Sequence, residues 1–262
     1  MAYVRTDIAI WMWDISLVLL VAALAVYGQK STILSQIQIA SINEKMGFSK
    51  NESACIAVAC GELSERNVKI IKKPLIEVSP TDYTLNSVGL TQKTFEVKYR
   101  NDIAQLPFSL TKETLYARRS ARNFVALTPT TEQITHFFEL FSILPPTLHA
   151  YIVLLQSPSK PIGLYHQNRL LQAGDLSAGV VHLAVDQKFV ANATAIVVLT
   201  SKNFAPEQLI EAGMFVHYIS IEVASIGWGA TGIGAYYEQE MQNFLETQEA
   251  ILYVAAVGKE SK

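Results

Sequence analysis

One arrangement occurs twice in this chain of 262 residues and limits what it can fold into: a long apolar stretch, a glycine, a short segment, a helix-like run and a β-branched run. In the first copy the apolar stretch is residues 8–27, followed by Gly28, Ser31-Thr32-Ile33, Asn43-Glu44-Lys45-Met46 and Ala57-Val58-Ala59-Cys60-Gly61. In the second it is residues 209–226, followed by Gly227-Trp228-Gly229-Ala230-Thr231-Gly232-Ile233-Gly234, Glu238-Gln239-Glu240-Met241 and Val254-Ala255-Ala256-Val257-Gly258. Even the approach to the last run matches, Asn51-Glu52-Ser53-Ala54 against Thr247-Gln248-Glu249-Ala250. Two copies about 200 residues apart indicate duplication of a half-domain unit. Helices apolar on every face must be buried in a core or at a subunit interface, and strands interleaved with them give an α+β sheet with helices on it.

Residues 8–27 also satisfy the length needed to cross a bilayer, so a membrane anchor stands as the alternative to burial. Against it, Asp14 would sit inside the span at a cost of roughly 2.5 to 3.5 kcal/mol, and only Arg5 precedes the stretch as a positive flank. Burial is the favoured reading, since a duplicated half-domain unit makes an anchor in one copy the less consistent choice. The formal charge of -2 at pH 7 argues against a nucleic-acid binder, which needs a broad positive face rather than one cluster. Cys55 and Cys60 lie in an alternating apolar run, where they would point to opposite faces of a strand and act as small buried hydrophobes. A reducing cytoplasm is the expected compartment.

Between the copies the punctuation changes. Residues 62–101 carry Lys69-Ile70-Ile71-Lys72-Lys73-Pro74 and short β-branched runs broken by Pro74, Pro80 and Gly89, which reads as a connector with one or two edge strands. Thr128-Pro129-Thr130-Thr131-Glu132-Gln133-Ile134 predicts a capped helix start, and that helix carries an aromatic stripe at Phe137, Phe138 and Phe141. Ala150-Tyr151-Ile152-Val153-Leu154-Leu155-Gln156, Gly163-Leu164-Tyr165-His166 and Ala193-Thr194-Ala195-Ile196-Val197-Val198-Leu199-Thr200 read as strands. His149, His166, His182 and His217 show no ligand spacing, and no metal site is expected.

The chemistry-bearing stretch is Tyr116-Ala117-Arg118-Arg119-Ser120-Ala121-Arg122-Asn123-Phe124. Guanidinium groups at this density repel each other unless an anion sits among them, and the planar donor fork of Arg suits phosphate oxygens. On spacing alone a solvated basic turn is the plain alternative.

Taken in order, Arg118-Arg119-Ser120-Ala121-Arg122-Asn123-Phe124, the strand from Ala150 to Leu155, Pro161-Ile162-Gly163-Leu164-Tyr165-His166, Ile210-Glu211-Ala212-Gly213 and Gly229-Ala230-Thr231-Gly232-Ile233-Gly234-Ala235-Tyr236 resemble the FMN-dependent nitroreductase superfamily. Within it they resemble the branch of SagB-type and thiazoline or oxazoline dehydrogenases. The resemblance implies a nitroreductase-like α+β fold, with a mixed, mostly antiparallel sheet packed with long buried helices. It implies three segments: residues 1–62 as a partial half domain, 63–104 as connector and 105–262 as the FMN domain. It implies FMN as cofactor, with NAD(P)H as electron donor, and hydride transfer to or from a small molecule or peptide: azoline dehydrogenation, or nitro or quinone reduction. Its site residues map to Arg118, Arg119, Ser120 and Arg122 around the phosphate, Gly232, Ile233 and Gly234 beside the flavin ring, and Lys259 as a further basic group; it names no catalytic side chain. A homodimer, or an internal pseudo-dimer built by the duplication, is the implied assembly. The short, glycine-free Leu144-Pro145-Pro146-Thr147-Leu148-His149 departs from the family's pattern and supports a second reading, a non-catalytic relative kept as a flavin-binding or partner module.

Overall fold

The computed structural model describes residues 4–6, 31–33, 44, 46, 47, 58–60, 111–204 and 206–261. The expectations for residues 8–27, for Cys55 and for the connector with its lysine run lie outside the described residues. The chain divides into two units, Leu19–Pro107 and Met1–Val18 together with Phe108–Lys262.

Three short strands precede residue 111: β1 (Val4–Thr6), β2 (Ser31–Ile33) and β3 (Val58–Cys60). Within the unit Leu19–Pro107, β2 and β3 pair antiparallel, with Ile33 opposite Val58 and Ser31 opposite Cys60. Glu44 and Met46 are helical, and Gly47 turns the chain away at φ +71°.

The larger unit adds α1 (Lys112–Ala117), α2 (Thr131–Glu139), β4 (His149–Leu154), β5 (Gly163–His166), β6 (Arg169–Ala173), α3 (Ser177–Leu183) and β7 (Ala195–Ser201). It continues with α4 (Pro206–Ser225), β8 (Gly229–Gly232), β9 (Ala235–Tyr237), α5 (Glu238–Phe244) and β10 (Ala250–Gly258). Six strands form one sheet in the order β6-β5-β4-β7-β10-β8, antiparallel at every step, and β1 pairs antiparallel with β9. The central strands β4, β7 and β10 are buried along nearly their whole length, as expected of continuous apolar runs covered on both faces. The pairing of β8 with β10, Gly232 opposite Ala255, is antiparallel like that of β2 with β3.

Helix α2 begins where the cap residues say it should. Thr130 N–H donates to Gln133 Oε1 at 2.9 Å while Gln133 N–H donates to Thr130 Oγ1 at 3.2 Å, a reciprocal cap that satisfies two otherwise orphaned donors. Its apolar face drives Phe137 and Phe138 into the core, and the chain continues through a 3-10 turn that adds Phe141. These rings meet edge-on, Phe137 with Phe141 at 5.4 Å, and extend to Phe215 of α4 at 5.6 Å and to Trp228 at 6.0 Å.

Helix α4 is buried almost all round, from Leu209 through Val223, which is why its sequence carries no polar face. Among the described residues no helix is long and apolar enough to cross a membrane. Its end is set by Gly227 at φ +75°, a left-handed conformation in which a side chain is strained. Gly227 N–H donates to Ala224 O at 3.1 Å and Trp228 N–H to Val223 O at 2.9 Å, the paired closure of a glycine cap. The next carbonyls find side-chain donors, Gln133 Nε2 to Ile226 O at 2.9 Å and Lys259 Nζ to Gly227 O at 3.2 Å.

Candidate anion site

After α1 the arginine stretch runs extended along the edge of the sheet. Ser120 bridges Ala230 of β8 in parallel, Ala121 N–H donates to Ala230 O at 3.0 Å, and Phe124 bridges Glu260 just beyond β10. Val125 N–H donates to Lys259 O at 2.9 Å and Ser261 N–H to Asn123 O at 3.1 Å. Ala121 and Phe124 are the buried anchors of this clasp. Gly229 lets it close: a Cβ there would stand 3.0 Å from Ala121 Cβ.

An extended backbone sends neighbouring side chains to opposite sides, which separates Arg119 from Arg118, and a bend at Arg122 breaks the alternation there. Arg118 and Ser120 line a small open cavity, together with Gly213, His217 and Ser220 of α4 and Gly232 of β8. Arg119 turns away, 67% exposed, and donates from Nε to Glu260 Oε2 at 3.1 Å. Arg122 is exposed, and its backbone N–H reaches Glu260 Oε1 at 3.4 Å. Of the residues expected around a ligand, Arg118, Ser120 and Gly232 therefore come together on one cavity. Arg119, Arg122, Ile233, Gly234 and Lys259 do not line it: Ile233 is a core side chain, and Lys259 caps the end of α4.

Two nitrogens give the cavity its character. Arg118 Nε and His217 Nε2 are both buried and, among the described residues, without a hydrogen-bond partner. Burial pulls the Arg118 guanidinium below its ordinary value, yet a guanidinium remains charged in a protein. His217 is only 4% exposed; burial, with the Arg118 charge added, depresses its imidazole to about 3, so it is neutral at physiological pH. An unsatisfied buried donor costs about 1 to 3 kcal/mol. A fixed positive charge with vacant donors is satisfied by an oxyanion, and the exposed Arg119 is not equipped for that task.

His217 is the residue that motif spacing did not bring out. Its signal was a polar side chain inside the apolar middle of a helix, four residues after Gly213 and three before Ser220, which places all three on one helical face. A second polar cluster lies elsewhere on the sheet. His149 Nδ1 is 2.8 Å from each carboxylate oxygen of Glu249, Thr200 Oγ1 donates to the same carboxylate at 2.6 Å, and the His166 ring stands edge-on to His149 at 5.7 Å. Among the described residues no set of His, Cys, Asp and Glu side chains is arranged to hold a metal ion.

The family model described as "Nitroreductase family" matches residues 115–259, more than half of the chain. None of the curated proteins matches. Among solved structures, a protein of Anabaena variabilis assigned as a nitroreductase is 13% identical with a TM-score of 0.69, covering 95% of this chain and 64% of its own; this chain thus spans less than two thirds of that relative. The NADPH:FMN oxidoreductase of Vibrio harveyi, solved with NAD+, is 16% identical over 57% of this chain and 68% of its own, TM-score 0.43. An FMN-dependent nitroreductase of Clostridium difficile is 12% identical over 55% of this chain and 84% of its own, TM-score 0.41. With the family's model spanning the arginine stretch, the central helix and the final strand, and with the α+β architecture that the motifs implied, this chain belongs to the nitroreductase family.

Proposed function

We propose that the protein is an FMN-dependent oxidoreductase whose cavity at Arg118 and Ser120 receives the flavin phosphate. The observation that carries this reading is the buried Arg118 Nε, unpartnered among the described residues, facing a cavity shared with Ser120 and with Gly232 of the glycine-bearing strand. The donor set fits a phosphate monoester: a guanidinium N–H, a hydroxyl and a second buried nitrogen line one cavity, and among the described residues no carboxylate lines it. Arg119, Arg122 and Lys259 complete the proposed set as surrounding positive charge rather than as direct donors. Gly232, Ile233 and Gly234 would supply the backbone surface for the ring, where side chains would obstruct it.

The chemistry that FMN supplies when bound is hydride transfer between a donor, here NAD(P)H, and a small acceptor or a peptide azoline. What this chain contributes is orientation, fixed positive charge and exclusion of water; the reading requires no acid or base from its side chains. We place the chain in the SagB-type branch on Pro161-Ile162-Gly163-Leu164-Tyr165-His166, a segment that Tyr165 braces by donating from its hydroxyl to Pro161 O at 2.6 Å. We further propose residues 1–62 as a partial second half domain, 63–104 as connector and 105–262 as the FMN domain, working in the cytoplasm as a homodimer or as an internal pseudo-dimer. The like pairing of β2 with β3 and of β8 with β10 supports the duplication.

One observation favours the second reading, a relative that no longer turns over: Glu260 occupies Arg119 and the Arg122 backbone from within the chain. The visible spectrum of the purified protein separates the two. Bound oxidised flavin, bleached by NAD(P)H, is the expected result. A colourless protein that takes up no FMN on reconstitution overturns the proposal, and a flavin bleached by dithionite but by no physiological donor leaves the non-catalytic module.

A further inference from the structure

We infer that His217 is the proton-linked partner of Arg118 in this site: as a phosphate dianion docks, the imidazole takes up a proton from solvent and holds the anion from the helix side. The inference rests on the reading that the cavity receives the flavin phosphate. It concerns a residue outside the arginine motif, on a different element.

Two structural facts carry it, and one electrostatic consequence supports them. First, His217 is buried on α4, lines the same cavity as Arg118, and leaves Nε2 without a partner among the described residues. A histidine that served only to pack would cost less as an apolar side chain, because a buried nitrogen with nothing to bond forfeits its hydration. Second, the groups facing it leave it neutral until an anion arrives. Arg118 approaches from the stretch after α1 and is positive; Ser120, Ser220, Thr231 and Tyr253 of β10 also line the cavity and are uncharged; among the described residues no carboxylate lines it. Glu222 lies one turn further along the same helix, outside the lining, and acts on Tyr218, whose phenol burial and that carboxylate push up to about 12. Third, burial and the Arg118 charge are the two causes that hold the imidazole down, to about 3. A dianion in the cavity reverses the second cause, since a nearby opposite charge favours the protonated form.

The ligand class follows from the same geometry. Arg118 repels a cation. A neutral carbonyl could accept from Arg118 but would not draw a proton onto His217. A phosphate monoester does both, and its second ionisation lies near pH 6, so above that pH the proton taken up must come to the protein rather than to the ligand.

The test is calorimetric titration of the full chain with FMN and with riboflavin between pH 6.5 and pH 8, in buffers of different ionisation enthalpy. The expected result is uptake of up to one proton per FMN and none per riboflavin, with FMN affinity rising by as much as about tenfold per pH unit as pH falls. In His217→Gln the proton uptake and the pH slope for FMN disappear while riboflavin binding is retained. The wild-type proton count stands even where the variant fails to fold. FMN binding with no proton uptake and equal affinity at both pH limits overturns the inference and leaves the flavin reading intact. No binding of FMN, or FMN bound no better than riboflavin, overturns the phosphate site and this inference with it.

Discussion

The imidazole of His149, on β4, holds both carboxylate oxygens of Glu249 at 2.8 Å, and so joins the start of one central strand to the approach to another. Burial alone would raise the Glu249 carboxyl, but the hydrogen bonds from Thr200 and His149, with the charges of His149 and Lys202, bring it below the usual carboxylate range. A carboxyl depressed on folding stabilises the protein above its unfolded pKa, and the contribution is lost as pH falls through the folded value. Thr200→Val removes a fully buried hydroxyl donor to this carboxylate and is expected to cost about 1.5 to 3 kcal/mol at pH 7. The deficit should shrink as the acid is titrated, which urea unfolding at pH 7 and pH 3.5 would show. An unchanged deficit at both pH values would mean that the charge on Glu249 has no part in it.

The sorting of the arginines predicts unequal mutants. Arg118→Ala should weaken FMN binding by the loss of a charge-assisted hydrogen bond, about 1.5 to 3 kcal/mol. Arg119→Ala, which breaks an exposed pair with Glu260, should change it by no more than about fivefold. Fluorescence titration of FMN decides. Equal losses in both variants would return the site to the undivided cluster suggested by spacing.

His217 makes the flavin-free protein acid-sensitive. Its imidazole lies near 3 when folded and near 6.5 when not, so the unfolded chain binds the extra proton between those values and stability falls as pH falls, by about 1.4 kcal/mol per unit. Full stability from this group is present above pH 6.5. In His217→Gln the slope should flatten by that amount, read from denaturant midpoints at pH 7, 5.5 and 4.5. Parallel curves for the two proteins would show that the burial of this imidazole costs nothing on acidification.

Two glycines at the open end of the β5 and β6 hairpin, where Gly163 pairs with Ala173, should respond differently to alanine. At Gly163, φ +146°, a Cβ would fall 2.0 Å from Gln172 O, so backbone must move and at least about 2 kcal/mol is lost. At Gly174, φ +134°, nothing lies within 4 Å, and only the strain of the backbone conformation remains. Thermal melts should therefore rank Gly163→Ala below Gly174→Ala, and the reverse order would remove the close approach of β6 as the reason for a glycine at 163.

What the sequence made legible was what burial writes into it. β4, β7 and β10 read as apolar runs because both their faces are covered, and α2 announced itself through the Thr130 and Gln133 cap. Strand β6 gave no such signal, since an exposed edge of Arg169, Leu171 and Gln172 has neither alternation nor an apolar run. The three arginines read as one cluster because distance along the chain was taken for distance in space, whereas an extended backbone turns Arg119 away from Arg118. Gly227 and Lys259 close α4, a helical task that a motif count cannot distinguish from ligand contact. His217 required knowing which face of a wholly buried helix meets the arginine stretch.

The clasp made by Ser120, Ala121 and Phe124 also bears on how the protein behaves at high concentration. β8 is the last strand of the six-stranded sheet, and the arginine stretch takes up Ala230 along its outer side. An uncovered strand edge offers a row of free N–H and C=O groups on which another chain can add. Proteolytic nicking near residue 118, or a substitution that pries Phe124 from its pocket, would therefore do more than empty an anion site: it would leave an adhesive border, and the first sign of damage would be self-association.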